Sequence, residues 1–377
     1  MKSGKTGYTH GYSFKKRKEL PVEEKIAAME LLADWFKQHK RSFPWRNTQV
    51  DRTILPYRIW VSEVMLQQTR AEVVEPFFIA WMKRFPTLEQ LAKAEIQEVI
   101  KAWEGLGYYS RAKRLWLSAK HLVEHNDGRI PDNYEELLKI QGFGPYTAGA
   151  VMSFAFQRKA AAVDGNVARV IARLFAIEEE IDHAKVQKQI RELTFLLLPD
   201  KEPWVVMEAL IELGALICRK NPDCTHCPLK GVCDAQRCKM AAILPRKKEK
   251  KKMERIEREV ALLVYEKEVL ITQVAQDKVM AGLYEFPYFP KDGKPIGEKV
   301  KEGDIAKDFE IFILLDSVQH TFTRFHVHLY PYLLKCAEKK VPALYHWHPI
   351  ERLRDLPFSS GHRKLIQPLE EIIEKSS

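Results

Sequence analysis

Residues 137–156, LLKIQGFGPYTAGAVMSFAF, decide the fold of the first half of the chain. An apolar helix is predicted to end at Gly142, and a second helix begins at Pro145. Gly142 and Gly144, on either side of Phe143, allow a tight turn and a close approach to a partner. The amides that open the second helix would point outward and suit an anion such as a DNA phosphate. The stretch therefore predicts a helix–hairpin–helix, although an ordinary pair of antiparallel helices would also explain it.

The rest of the chain divides into two blocks of different texture. Residues 21–242 place apolar residues at three- and four-residue spacing, with short breaks between the segments, which is typical of helices. Residues 259–377 change to short β-type runs, including two strands around a Glu-Lys turn. One predicted helix, capped by Ser359 or Ser360, closes the chain. The predicted fold class is therefore multidomain, with an all-α domain followed by a smaller α+β domain.

The composition and the position of the charges limit the possible partners. The chain has 377 residues and a net charge of +10. Its hydrophobic share of 46% and aromatic share of 10% exclude a disordered protein. A basic tail at 1–20 and a basic linker at 243–258 each contribute +5. Such segments attract phosphate backbones, although they can also be only a solvated tail and linker. We find neither a membrane span nor a signal peptide and expect a cytoplasmic protein with reduced cysteines.

Four of the six cysteines form a compact C-x5-C-x2-C-x5-C string. Thiolates this close in sequence can converge on one metal centre, and a zinc ribbon usually needs two separate C-x2-C pairs. The spacing favours a [4Fe–4S] cluster over zinc or free thiols. Cys238 is a possible competitor for the last ligand position, and Cys336 is expected to be a buried small hydrophobe. The predicted ligands are Cys218, Cys224, Cys227 and Cys233.

Two acidic residues stand at positions where carboxylates can carry chemistry. Asp164 and Asn166 lie at the start of a predicted helix, AVDGNVARVIARL, where Asp164 could also be only an N-cap. Glu63 lies off the main apolar face of the predicted helix 57–70, beside Gln67. On an isolated helix this position is typical of a solvated glutamate. Neither carboxylate identifies a function without further context.

Five motifs in the same order supply that context. VSEVMLQQTR, GLGYYSRA, GFGPYTAGAV, VDGNVARV and the cysteine string resemble the helix–hairpin–helix DNA glycosylases with an iron–sulfur loop. More narrowly, they resemble the MutY family of adenine DNA glycosylases, which remove adenine mispaired with 8-oxoguanine. The resemblance covers about residues 40–238 and continues more thinly through MAGLYEFP and QHTFTRF in the second block. That block also resembles a Nudix fold.

The resemblance implies a role for each catalytic candidate. Glu63 matches the general acid that protonates N7 of a flipped-out adenine, for which its pKa would have to be raised. Asp164, when ionised, would stabilise the oxocarbenium-like charge on the sugar. Tyr146 and Asn166 would orient the carboxylates and the attacking water. GFGPYT carries no lysine for a Schiff base, which implies a monofunctional enzyme that leaves an abasic site.

The resemblance also implies recognition residues and partners. The second block should bind rather than hydrolyse, because it lacks the R-E-x-x-E-E cluster of Nudix hydrolases. The implied partner is double-stranded DNA with an A:8-oxoguanine or A:G mispair. The resemblance implies that the protein binds it as a monomer and does not bind a membrane. Phe322 could instead be a strand core residue. The implied adenine-binding residues are Trp45, Arg46 and Glu208, and those for DNA or the opposite base are Gln68, Thr69, Leu106, Gly107, Tyr108, Gly142, Gly144, His320, Phe322 and Thr323.

Three other functions remain compatible with parts of the sequence. A non-catalytic DNA-binding regulator would use the helical pair and a zinc or redox cluster, with both carboxylates inert. A thiol-cluster electron carrier would have no use for the hairpin or the second domain. A bifunctional pyrimidine glycosylase–lyase of the endonuclease III type is disfavoured by Tyr146, which stands where such an enzyme needs a lysine.

Overall fold

The computed structural model divides the chain into two compact units. The first joins Met1–Arg41 to Met152–Lys248, and the second joins Ser42–Val151 to Glu249–Ser377. The helical block therefore contributes to both units. The residues that the structure describes are 20–47, 51–249, 252–275, 278, 280–322, 324–340 and 343–376. The basic tail predicted at 1–20 lies outside them except for Leu20.

The helices predicted for the first block are present. Where a helix begins, Thr87, Asn133 and Asp164 cap it with their side chains, as short polar residues do. In chain order the helices are α1 (Val22–Ala27), α2 (Met29–His39), α3 (Leu55–Leu66), α4 (Ala71–Arg84), α5 (Leu88–Lys93), α6 (Ile96–Ala102), α7 (Ser110–His125), α8 (Tyr134–Lys139), α9 (Pro145–Ala150), which continues as a π-helix (Val151–Ala155), α10 (Gly165–Leu174), α11 (Ala184–Leu197), α12 (Pro203–Leu216) and α13 (Asp234–Arg237).

The first unit is organised around α10 and α12. α10 packs on α11, α12 and α13, and α12 packs on α2. Two ion pairs join distant segments. Lys25 Nζ lies 2.8 Å from Asp234 Oδ2, and both side chains are buried. Arg41 Nε lies 2.6 Å from Oε1 of the buried Glu212, and the Arg41 side chain is 31% exposed. A buried charge without a partner is strongly destabilising. These pairs therefore hold the segments that carry Lys25 and Arg41 against those that carry Asp234 and Glu212.

The helical part of the second unit packs around α3. This helix contacts α4, α7 and α9. The indole rings of Trp81 and Trp103 meet edge to face, with centroids 5.5 Å apart. Burial of such large aromatic side chains dominates the energetics of a core. The packing leaves α3 surrounded by protein along most of its length.

A mixed β-sheet forms the rest of the second unit. Its strands are β1 (Glu254–Tyr265), β2 (Glu268–Gln273), β3 (Tyr284–Glu285), β4 (Tyr288–Pro290), β5 (Phe309–Leu314), β6 (Val318–Phe322), β7 (Phe325–Cys336) and β8 (His346–Pro349). The order β3-β2-β1-β7-β5 places the parallel pair β1 and β7 at the centre, with β4, β6 and β8 paired to β1, β7 and β2. The predicted Glu-Lys turn joins β1 to β2. β1 begins at Glu254, inside the predicted linker.

Both faces of the central strands are buried. Val260 and Leu262 of β1 belong to one apolar cluster, and Ala261 and Leu263 belong to the other. This explains the continuous apolar run in β1, because a parallel strand covered on both faces has no polar side. α14 (Ile296–Glu302) contributes to the second cluster.

The chain closes differently from the prediction. In place of one helix, α15 (Ser360–Arg363) and α16 (Ile366–Ser376) follow each other with a break between them. Ser359 is the N-cap residue of α15 but makes no side-chain capping bond. Leu365, Ile366 and Leu369 turn into the first apolar cluster, and this burial fixes the break. Among the described residues, no helix has both the length and the apolar character to cross a membrane.

Candidate active site

Glu63 lies in the middle of α3. Only 5% of its surface is exposed, so the alternative of a solvated glutamate is wrong. The periodicity misled because α3 is covered on several sides, and a position off the main apolar face is therefore also buried. The start of the helix is fixed by Tyr57, whose hydroxyl donates to the Phe85 carbonyl at 2.7 Å and accepts from the Trp81 indole at 3.1 Å.

Tyr146 is the partner of Glu63. Its hydroxyl donates a hydrogen bond to Glu63 Oε2, although the two residues are far apart in sequence. Tyr146 stands in the first turn of α9, directly after the hairpin. The hairpin is held against α3 by stacking of Phe143 on Trp60, with ring centroids 4.9 Å apart and an interplanar angle of 17°. The structure therefore brings two of the four predicted catalytic residues together within the second unit.

The hairpin needs glycine at only one of its two glycine positions. Gly142 has a φ of +96°, and a Cβ there would lie 2.8 Å from Ser118 Oγ. The predicted tight turn is thus confirmed for Gly142, whereas its close approach to a partner stays a prediction. Gly144 has a φ of −92° and opens onto free space. The backbone conformation at Gly144 does not require glycine, because any residue adopts it, and the close approach of a partner there stays a prediction.

Arg111 is an organising residue that the sequence did not reveal. Its guanidinium is buried and donates to carbonyl groups at the end of α3, which have no partner within the helix. Burial lowers the pKa of Arg111 to about 10, so the group is charged at neutral pH. Arg111 therefore ties the helix that carries Glu63 to the following loop. The acceptors are the carbonyls of Val64 (2.8 Å), Met65 (2.9 Å), Gln67 (2.5 Å), Leu106 (3.2 Å) and Gly107 (3.1 Å) and the Thr69 hydroxyl (3.3 Å).

Two of the predicted DNA-contacting residues adopt a left-handed backbone. Gln68 has a φ of +60° and Tyr108 a φ of +50°, a conformation in which non-glycine residues are strained and which clusters at functional sites. The Tyr108 side chain is 45% exposed, whereas Leu106 is 5% exposed. Tyr108 is therefore available to a ligand, while Leu106 packs into the protein.

Asp164 and Asn166 form the second pair, in the first unit. Asp164 Oδ1 accepts the backbone amides of Asn166 and Val167 at 2.9 and 2.7 Å, so the N-cap alternative is correct as structure. Oδ2 accepts the Asn166 side-chain amide at 2.8 Å. Burial raises the pKa of Asp164, and these hydrogen bonds oppose the rise by favouring the ionised form. An N-cap can still carry chemistry, because Oδ2 takes no part in the capping bonds.

Arg169 links this pair to the cysteine loop. Its Nη2 donates to Asn166 Oδ1 at 2.8 Å, and its Nε donates to the Cys218 carbonyl at 2.7 Å. Gly214 of α12 lies against the same turn, where a Cβ would stand 2.6 Å from the Asn166 Cβ. Neither Arg169 nor Gly214 stood out in the sequence. The close approach of α12 therefore depends on glycine at this position.

The four predicted ligand cysteines lie in the loop between α12 and α13. Burial raises the pKa of the Cys227 thiol to about 12 and that of Cys233 to about 11, and the other cysteines add to both shifts through their charge. Arg173 Nη1 lies 3.2 Å from Cys218 Sγ and 2.6 Å from the Arg219 carbonyl. In the part of the chain that is described, no group of three or more His, Cys, Asp or Glu side chains is arranged to hold a metal ion. Cys238 is exposed and Cys336 is buried, the latter as predicted.

The predicted adenine-binding residues have different environments. Trp45 is 4% exposed and stacks on Phe43 with centroids 4.7 Å apart. The Arg46 guanidinium lies 5.4 Å from the Phe43 ring centre. Glu208 of α12 is partly buried. Their role in binding adenine stays a prediction.

In the β-sheet, His320 and Phe322 lie on one face of β6. Their rings stack with centroids 5.7 Å apart, and Phe322 also packs against the first apolar cluster. Burial, together with the charges of Arg258 and Lys364, lowers the pKa of His320 to about 4. Thr323, the third predicted member of this group, lies outside the described residues.

Two family models match the chain. Residues 61–194 match the HhH-GPD superfamily of base excision DNA repair proteins, and residues 259–368 match the NUDIX domain. A thermostable thymine-DNA glycosylase has a similar fold, with a TM-score of 0.52 and 28% identity, over 58% of this chain and 99% of that one. The predicted fold class is therefore confirmed.

Curated relatives identify the family within this superfamily. The adenine DNA glycosylase of Rattus norvegicus is 41% identical over 209 residues, which are 54% of this chain and 40% of the relative. The match thus spans about two fifths of the length of that relative. The adenine DNA glycosylase of Buchnera aphidicola subsp. Baizongia pistaciae is 30% identical over 290 residues, which are 74% of this chain and 81% of the relative. The chain belongs to the adenine DNA glycosylase family.

Proposed function

We propose that this protein is a monofunctional DNA glycosylase that removes adenine mispaired with 8-oxoguanine or guanine and leaves an abasic site. The observation that supports the proposal most directly is the hydrogen bond from Tyr146 to the buried carboxyl group of Glu63. This bond joins the hairpin to a carboxylic acid on α3. Tyr146 stands in the hairpin motif at the position where a lyase would carry a lysine. The substrate is double-stranded DNA, bound by a monomer in the cytoplasm at the nucleoid.

The first step is binding and extrusion of the target base. The basic segments at 1–20 and 243–258 attract the duplex, and the adenine leaves the stack at a loss of a few kcal/mol. Gln68 and Tyr108, held in left-handed conformations, contact the DNA near the gap. Trp45, Arg46 and Glu208 receive the adenine. Thr69, Leu106 and Gly107 help to form the DNA contact of Gln68 and Tyr108. Gly142 and Gly144 bring the hairpin to the DNA backbone.

The second step is cleavage of the glycosidic bond. Adenine is a poor leaving group until its N7 is protonated, and Glu63 donates that proton while Tyr146 fixes the orientation of the carboxyl group. Only 5% of the Glu63 surface is exposed, so this proton transfer is shielded from bulk water. The positive charge that develops on the sugar is stabilised by ionised Asp164. Asn166 holds that carboxylate, and the deprotonated Glu63 then takes a proton from the attacking water.

A [4Fe–4S] cluster completes the proposal. Its ligands are Cys218, Cys224, Cys227 and Cys233. The donor set suits the cluster, since Fe–S clusters are held by cysteine thiolates and the positively charged Arg173 guanidinium lies 3.2 Å from Cys218 Sγ. When bound, the cluster would cross-link the loop that Arg169 connects to Asn166.

Recognition of the opposite base is assigned to the β-sheet domain. His320, Phe322 and Thr323 contact 8-oxoguanine. The domain does not hydrolyse nucleotides, because its sequence lacks the glutamate cluster that binds the metal in Nudix hydrolases.

The proposal is tested by single-turnover cleavage of duplexes with adenine opposite 8-oxoguanine, guanine, cytosine or thymine. We expect excision opposite 8-oxoguanine and guanine, with no product trapped by borohydride. Glu63→Gln should bind the duplex normally and lose about 10² to 10⁴-fold in rate, the usual contribution of a general acid. Excision of a pyrimidine, or strong borohydride trapping, would show instead a bifunctional enzyme.

A further inference from the structure

Glu104 directly precedes the loop Gly105–Tyr109 and contacts the sheet domain. Its Oε1 accepts the Arg363 Nε at 2.7 Å and the Phe358 backbone amide at 2.9 Å. Its Oε2 accepts Lys101 Nζ at 2.8 Å and also Arg363 Nη2. A carboxylate with four such donors is firmly held, since charge-assisted and bidentate pairs are the strong hydrogen bonds.

The ion pair between Glu104 and Arg363 is well shielded from water. The side chains are 17% and 26% exposed. Burial opposes ionisation of Glu104, yet the hydrogen bonds from Arg363, Lys101 and Phe358 hold its pKa below the usual range. The carboxylate is therefore charged at neutral pH. The pair is unlike an exposed surface salt bridge, which contributes little.

On one side, the pair adjoins the loop Gly105–Tyr109, because Glu104 directly precedes it. Gly105 and Gly107 have φ values of +103° and +71°, so the loop path depends on the residues that anchor its two ends. The Gly107 carbonyl accepts the Trp103 indole at 3.0 Å and Arg111 Nη2 at 3.1 Å. Arg111 holds the middle of the loop through the carbonyls of Leu106 and Gly107, and Glu104 holds the residue that precedes the loop.

On the other side, the pair continues into the strand that carries His320. Arg363 ends the four-residue helix α15. Gly361 in the same helix packs so closely on β6 that a Cβ there would stand 2.3 Å from His320 Nδ1 and 2.9 Å from Leu329 Cδ1. α15 thus touches Glu104 through Arg363 and His320 through Gly361. A shift of Glu104 or of α15 would change the distance between Tyr108 and His320.

We propose that Glu104 and Arg363 are a specificity-determining positioning pair, which fixes the loop Gly105–Tyr109 relative to the strand segment His320–Phe322 and so sets discrimination between 8-oxoguanine and guanine opposite adenine. The inference rests on the proposed function, since it assigns a task to two segments that read the same base pair. Neither residue touches the reacting atoms.

The test compares Glu104→Gln, Arg363→Gln and the double variant with wild type. The matched control is Glu370→Gln, which removes another bidentate carboxylate–arginine pair in the same domain, with Arg354 Nε 3.0 Å from both oxygens. The measured quantity is the ratio of the second-order rate constants for adenine excision opposite 8-oxoguanine and opposite guanine. A partly unfolded preparation lowers both constants equally, so the ratio responds to positioning and not to stability.

We expect each single variant to lower the ratio by about 3- to 30-fold, and the double variant to lower it no further, as for residues that act as one unit. Glu370→Gln should keep the wild-type ratio. Amide hydrogen exchange in Gly105–Tyr109, without substrate, should be faster in both single variants than in wild type.

An active wild type with an unchanged ratio in all three variants would overturn this inference alone. Additive effects in the double variant would also overturn it, because the residues would then act separately. Absence of adenine excision by the wild type would overturn the proposed function and this inference with it.

Discussion

The side-chain amide of Asn166 donates to Oδ2 of Asp164 at 2.8 Å. The orientation of the amide is fixed, because Arg169 donates to its oxygen at 2.8 Å. Burial raises the pKa of Asp164, and this hydrogen bond is one of those that oppose the rise. The Asn166 side chain therefore helps to keep Asp164 ionised as the pH falls.

We predict that Asn166→Ala moves the acid limb of the pH–rate profile to higher pH. Without the amide, the ionised form of Asp164 loses a donor and its pKa rises further. As the solution is acidified, Asp164 then becomes protonated at a higher pH than in wild type. The check is single-turnover excision between pH 5 and 9. Asp164→Asn should remove most of the activity at every pH, and an unmoved acid limb in Asn166→Ala would contradict the assigned role of Asp164.

Gly214 provides a second way to disturb the same turn. A Cβ at Gly214 would lie 2.6 Å from the Asn166 Cβ and 3.0 Å from its backbone carbonyl carbon and oxygen, so the backbone has to move. We predict that Gly214→Ala lowers the free energy of unfolding by about 1–3 kcal/mol, as overpacking does, and also slows excision.

Urea unfolding with the matched variant Gly231→Ala checks this. Gly231 lies in the same unit, and a Cβ at this position would have no contact within 4 Å. Equal stability of the two alanine variants would show that α12 can withdraw from Asn166 without loss.

Arg111 gives the third prediction. Arg111→Lys keeps the charge but replaces a planar fork of five donors by one ammonium group, which cannot reach both α3 and the loop. We expect a loss of about 2–4 kcal/mol in the free energy of unfolding, because several buried carbonyls lose a charged donor, and a slower excision. Arg84→Lys is the control, since the Arg84 side chain is 51% exposed. Normal rates in Arg111→Lys would mean that the loop does not need this anchor.

The cysteine loop gives the fourth prediction. The purified protein should be brown and contain about four iron and four acid-labile sulfide per chain, as for a [4Fe–4S] cluster. Cys227→Ser should lose the cluster and Cys238→Ser should keep it. Zinc without sulfide, or loss of iron in Cys238→Ser, would show that the metal or the ligand set is wrong.

The sequence predicted the order and type of the elements well. The glycine turn at Gly142 and the change from helical segments to β-type segments after the linker follow from local chemistry, which a single chain displays. The burial of Glu63 could not be predicted in this way, because it depends on the packing of α4, α7 and α9 around α3 and not on the periodicity of α3 itself. Arg111 and Gly214 were missed for the same reason. Their partners lie elsewhere in the chain, and only packing reveals them.

The last prediction concerns the buried histidines of the sheet domain. His362 is 1% exposed, and its Nδ1 accepts the Phe286 amide at 3.0 Å. Burial, with the charges of His320 and Arg258, lowers the pKa of His362 to about 3. Its neighbour His320, with a pKa of about 4, faces the charges of Arg258, Lys364 and His326. Both rings are therefore neutral in the folded protein at neutral pH.

Acidification should destabilise the protein between about pH 6.5 and 4, because histidines in the unfolded chain bind protons at about pH 6.5 and these two do not when folded. Each contributes a slope of up to about 1.4 kcal/mol per pH unit in the free energy of unfolding. His362→Asn keeps an acceptor for the Phe286 amide but cannot titrate. It should therefore reduce this slope by up to about 1.4 kcal/mol per pH unit, which corresponds to one proton. If urea unfolding from pH 4 to 7 gives the same slope for His362→Asn and wild type, His362 binds its proton at the same pH in the folded and the unfolded protein, and its assigned pKa is wrong.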